Sequence, residues 1–150
     1  MPADTSFASV DFYPDATGQN LIKPGGVSTF VIGSTLTNLT TGAVNIMAAY
    51  TPGYRFRLLG ITAVVGVAGT GSGATQSISM SISGVAVTGG VVNPTLANTA
   101  TTGALIAGTA ITALNDGSAT DTLTIAAAAG GTVFTAGSIH LLIQIQNLDA

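Results

Sequence analysis

Residues 66–83 read GVAGTGSGATQSISMSIS. Positions 66 to 75 carry four glycines and three serines or threonines, and from Ser77 onward serines alternate with Ile78, Met80 and Ile82. A glycine cluster of this kind either cradles phosphate or joins two strands, and the flanking residues decide. A dinucleotide fingerprint requires G-x-G-x-x-G between a strand and a helix, and a P-loop requires G-x-x-x-x-G-K-[ST] in the same setting. Gly69, Gly71 and Gly73 have neither spacing, no lysine follows, and the next element has period two, the period of a strand. The stretch therefore reads as a hairpin loop between two strands. Ser72 is not the nucleophile of a G-x-S-x-G elbow either, because Thr70 stands where the first glycine is required.

The same alternation continues on both sides. YRFRLLGITAVVGVA (54–68) sets Tyr54, Phe56 and Leu58 on one face and Arg55, Arg57, Leu59 and Ile61 on the other. It reads as a long strand that starts at a rim and runs into a core on both sides. VSTFVIGSTLT (27–37) and AVNIMAAYT (43–51) are strands split by the loop residues NLTTG. After Ile82 the apolar phase slips by one, to Val85 and Val87, which calls for a bulge or tight turn at Gly84. NDGSATDTLTIAA places a turn at Asn115–Gly117 and then a strand with Leu123 and Ile125 inward. SIHLLIQIQNL (138–148) alternates Ile139, Leu141, Ile143 and Ile145 with His140, Gln144 and Gln146. NPTLANTATTGALIAG (93–108) predicts an irregular path with room for one helical turn. With no glutamate, one lysine and frequent glycine, the chain offers little to helices. Seven or eight short strands with turns between them predict an all-β protein: an antiparallel β-sandwich of jelly-roll type, one domain over residues 27–150.

Residues 1–26 form a separate segment, an extended N-terminal arm punctuated by Pro2, Pro14, Pro24 and Gly25–Gly26. Phe7, Phe12 and Tyr13 are its large side chains, too few for a core and suited to anchoring the arm on its own domain or on a neighbour.

Charged residues are 6% of the 150, hydrophobic residues 47%, and the net charge is −3. An average soluble domain is about 25% charged, so a lone subunit would be thinly solvated and self-association is expected. Three basic residues, Lys23, Arg55 and Arg57, leave no basic stripe for nucleic acid. Without cysteine there is no disulfide framework or thiol nucleophile. A single histidine, His140, completes neither a zinc site nor a triad. Asn115, Asp116 and Asp121 lack the spacing of an EF-hand loop and read as residues that hydrogen-bond within a turn. No catalytic, metal or cofactor residue is expected. The N-terminus has no secretory pattern, and no apolar run reaches the ~18 residues of a spanning helix. Arg55 and Arg57, on one face of one strand, suit a clamp for carboxylates of a partner. The expected partner contacts are thus Phe7, Phe12, Tyr13, Arg55 and Arg57.

The texture of YRFRLLGITAVVGVAGTGSGATQSISMSISGVAV, followed by DTLTIAAAAGGTVFTAGSIHLLIQIQN, resembles the small Ala/Gly/Thr/Val-rich virion proteins of tailed bacteriophages, above all capsid decoration or cement proteins. That resemblance covers residues 43–148. It implies a homotrimeric sandwich, made in the host cytoplasm, that binds the major capsid protein on the outside of the head and braces the lattice. It carries no catalytic residues. A phage tail or fibre component is the alternative in the same class, and a carbohydrate-binding sandwich the alternative in another, although the chain has no tryptophan and three tyrosines for sugar stacking.

Overall fold

The computed structural model describes residues 12–14, 20–22, 29–36, 39–40 and 44–149. Phe7 and Lys23 lie outside them. The described residues form eleven strands and no helix: β1 (Phe12–Pro14), β2 (Asn20–Ile22), β3 (Thr29–Leu36), β4 (Val44–Tyr50), β5 (Phe56–Thr70), β6 (Gln76–Ile82), β7 (Val85–Ala86), β8 (Leu105–Ala107), β9 (Asp116–Gly117), β10 (Leu123–Ala129) and β11 (Ala136–Asn147). β1 and β2 pair with each other in a sheet of their own. The others form a four-stranded sheet, β4-β10-β6-β7, and a five-stranded sheet, β3-β11-β5-β8 with β9 also on β5. All pairings are antiparallel.

The topology follows from a chain folded in half. Strand β6 turns back on β7 through Ser83 and Gly84, with Ile82 opposite Val85. Both turn residues have positive φ, 47° and 83°, the requirement of a two-residue type I′ hairpin. From this tip the two halves run alongside each other: β6 with β7, β5 with β8, β4 with β10, β3 with β11. Rolled up so that β10 seals against β6 and β11 against β5, the double ribbon becomes an eight-stranded jelly roll, with β9 as an extra bridge. The expected β-sandwich is therefore present, and the phase slip at Gly84 is a tight turn.

The inner faces supply the core. Leu58, Ile61, Ala63 and Val65 of β5 and Ile139, Leu141, Ile143 and Ile145 of β11 meet Ile78, Met80 and Ile82 of β6 and Leu123, Ile125 and Ala127 of β10, all buried. These are mostly β-branched or long aliphatic residues, which fill a pleated interface at about 10 Å sheet spacing.

Three local expectations change. The glycine-rich loop is not a hairpin: β5 and β6 lie in different sheets, so residues 71–75 carry the chain across the sandwich. Alternation specifies strands but does not say which sheet each joins. Next, β5 does not have a core on both sides. Leu58 pairs with Ile145 and Gly60 with Gln144, so Leu59 is an extra residue in a β-bulge. Past it the inward positions become Ile61, Ala63 and Val65, while Leu59 is 43% exposed. Lastly, Asp116–Gly117 is extended rather than turned, and it pairs with Phe56 and Arg57. Gly117 is required there because a Cβ would overlap the Phe56 ring. Between Val92 and Leu105 the path is irregular with one helical turn: Thr99 N–H donates to Thr95 C=O, and Thr95 and Asn98 cap each other reciprocally.

Candidate assembly surface

The outward positions of β5, β8 and β11 form one surface. Cross-strand register aligns Leu105, Val64 and His140 in one row and Ala107, Thr62 and Leu142 in the next. Directly opposed residues of antiparallel strands share a face. On that face Leu105 is 71% exposed and Leu142 38%; His140, Gln144 and Ala107 are exposed, Thr62 and Val64 half-buried. Leu59 extends the apolar surface toward one end, and Val67 is exposed beyond a second register shift between Ser138 and Ile139. No charged residue occurs in these rows. The bulge at Leu59 matters here, since it delivers a leucine outward from a strand whose neighbours at that end are Arg57 and Gly60.

Among the described residues, the arginines and their aspartate partners lie at the rim. Arg57 Nε and Nη2 donate to Asp116 Oδ1 and Oδ2 at 2.6 and 2.8 Å, a bidentate fork. Arg55 Nε donates to Asp149 Oδ1 at 2.6 Å, and its backbone N–H to Oδ2 at 2.7 Å. Both pairs are well exposed to water. The two arginines thus do not converge on a common carboxylate; each is held by a different aspartate of its own chain. Hydrogen bonds from the guanidinium groups hold Asp116 and Asp149 below the usual carboxylate range. Asp121 is also lowered, by the Ser118 backbone N–H and the Ser83 hydroxyl. These acids serve as partners for rim side chains and turn amides, as read for Asp121, while Asp116 reaches back to Arg57 instead of staying within a turn.

Phe12 and Tyr13 lie in β1, opposite Ile22 and Leu21 of β2. His140 stands in the outer face, across from Val64. Sequence alternation alone does not reveal this apolar surface; its one local signal is Leu142, an apolar residue in the outward phase of His140 and Gln144.

No protein-family model matches the chain, and no curated protein matches it. Among solved structures it is similar to a chain of Desmodium yellow mottle tymovirus, at 17% identity and a TM-score of 0.33, covering 91% of this chain and 95% of that one. It is also similar to a chain from Bacillus endospore appendages, described as disulfide-linked pili, at 16% identity and a TM-score of 0.32, covering 85% and 94%. Likeness at that level carries no argument about function. The jelly-roll assignment stands on the strand order alone.

Proposed function

We propose that the chain is a non-enzymatic structural subunit of a virion, a decoration protein that self-associates as a trimer and binds the outside of a phage head. The observation that carries this reading is the outer face of β5, β8 and β11, uncharged past Arg57 at its rim, with Leu59, Leu105 and Leu142 in water. A contiguous apolar surface on a chain with so little charge is suited to burial against protein. In this reading Phe7, Phe12 and Tyr13 anchor the arm on a neighbour. Arg55 and Arg57 would join a contact at the rim by exchanging Asp149 and Asp116 for a partner's carboxylates.

The test is sedimentation of the purified chain alone and with expanded phage heads. A trimer that co-sediments with heads supports the reading. A 14.7 kDa monomer that binds neither heads nor tails overturns it; co-sedimentation with tails alone moves the protein to a tail or fibre, and saturable glycan binding by a monomer moves it to the carbohydrate-binding class. Deleting residues 1–24 should weaken particle binding while leaving the melting temperature nearly unchanged.

A further inference from the structure

A cavity of about 260 Å³ lies at the folded tip of the ribbon, lined by Ile82, Ser83, Val85, Leu114, Asp116 and Asp121. Small-molecule sites usually measure roughly 300–1,000 Å³, so this one is sized for a single side chain. Its chemistry is divided. Val85 and Leu114 line it while 54% and 59% exposed, with Ile82 behind them, and two carboxylates complete the lining. Asp116 is occupied by Arg57. Asp121 is fixed by the Ser83 hydroxyl and the Ser118 N–H, each at 2.7 Å, and among the described residues no basic side chain pairs with it. The two non-glycine residues with positive φ among those described, Ser83 at 47° and Leu114 at 55°, both line this cavity. Ser83 takes it as part of the β6–β7 turn, whereas for the bulky Leu114 it is strained, and such strain concentrates at ligand clamps.

The geometry points to a receptor for one lysine side chain of a partner protein, its aliphatic stem against Val85 and Leu114 and its ammonium on Asp121. Charge complementarity selects this occupant: apolar walls with one pre-positioned carboxylate suit an alkylammonium. The described basic residues, Arg55 and Arg57, are arginines already held by Asp149 and Asp116, and the Lys23→Gln variant separates a foreign lysine from the chain's own. This inference shares Asp116 with the rim contact of the assembly reading but rests on Asp121, Val85 and Leu114, whereas that reading rests on the leucines of the outer face.

n-Hexylammonium is the probe, followed by amide NMR shifts of the intact chain. Saturable shifts at Ser83, Gly84 and Leu114, with an affinity on the order of millimolar, are expected, and they should weaken in 0.5 M salt. D121N should reduce the affinity about tenfold. Leu114→Gly relieves the positive φ, so it should keep the melting temperature while weakening binding, an outcome that a purely structural Leu114 would not give. Arg57→Ala should tighten binding by freeing Asp116. Equal shifts with n-hexanol, or none up to about 100 mM, would overturn the proposal. A manyfold gain in affinity on Lys23→Gln would overturn the foreign donor, since the chain's own lysine would then be the occupant.

Discussion

The two sheets have equivalent inner faces and very different outer ones. Across the four-stranded sheet, Ser77, Ser79 and Ser81 of β6 stand opposite Ala128, Ala126 and Thr124 of β10, and the Ser81 and Thr124 hydroxyls bond to each other. Small side chains and hydroxyls make that surface compatible with water without any charge. Across the five-stranded sheet the corresponding positions hold Leu105, Val64, Leu142 and Leu59. The same period-two alternation thus produces one face that solvent can cover and one that gains by losing solvent. The exposed leucines of the strands, Leu59, Leu105 and Leu142, thus all lie on the five-stranded sheet, and the two outer faces suit different neighbours.

Mutations on inner and outer faces should part company first. Ile143→Ala and Ile125→Ala, one in each inner face, should each cost about 2–5 kcal/mol, a melting temperature lower by roughly 5–15 °C. Leu142→Ala, one residue from Ile143, should change stability by about 0.5 kcal/mol or less in the monomer; a loss as large as that of Ile143→Ala would mean that the outer leucine belongs to the core. The next contrast is between the outer faces. Leu105→Arg with Leu142→Arg should raise the oligomer's dissociation constant by about 100-fold or more, since uncompensated charge would be buried. Ser79→Arg with Ala126→Arg should change it by about twofold or less, and sedimentation equilibrium reads both.

The smallest effects belong to the rim that separates the faces. Removing Arg55 or Arg57 should lower the melting temperature slightly, more at low salt than at high. The pH dependence follows the same groups. Folded-state carboxyl values of Asp116, Asp121 and Asp149 lie below their ordinary 3.8. Their contribution is present above that value and is lost as pH falls through the lower, folded-state values. Thermal melts between pH 6 and pH 2 should show this loss, and D116N should flatten it in part.

How far the sequence reaches can be judged from particular stretches. β6 and β11 were legible because a half-buried strand writes its orientation in every second residue, and the turn at Ser83–Gly84 was legible because the phase slipped where a glycine stood. β5 misled because its slip at Leu59 depends on how β11 is registered against it. Gly60 and Gly66, unusual inside a strand, were the local hints of those irregularities. The destination of the loop at residues 71–75 was not written locally at all, since joining the opposite sheet depends on β10 and β11. The pairing of the arginines was hidden for the same reason: Asp116 and Asp149 are remote in the chain, and only β9 and the end of β11 bring them to the rim.

The position of β11 has a consequence for how the protein is made. It lies between β3 and β5, and the five-stranded sheet cannot close without it, yet it is the last strand of the sandwich to leave the ribosome. Pairing can begin at the Ser83–Gly84 tip, where partners adjoin in sequence, but β3 must wait for β11, whose paired residues lie far along the chain, as Leu36 with Ile139 and Thr29 with Gln146. Such non-local pairing places folding in the range of milliseconds to seconds. Until then β3 and β5 present unpaired edges to whatever is nearby. Synthesis therefore gives such a chain an interval in which premature strand pairing between nascent copies competes with its own completion.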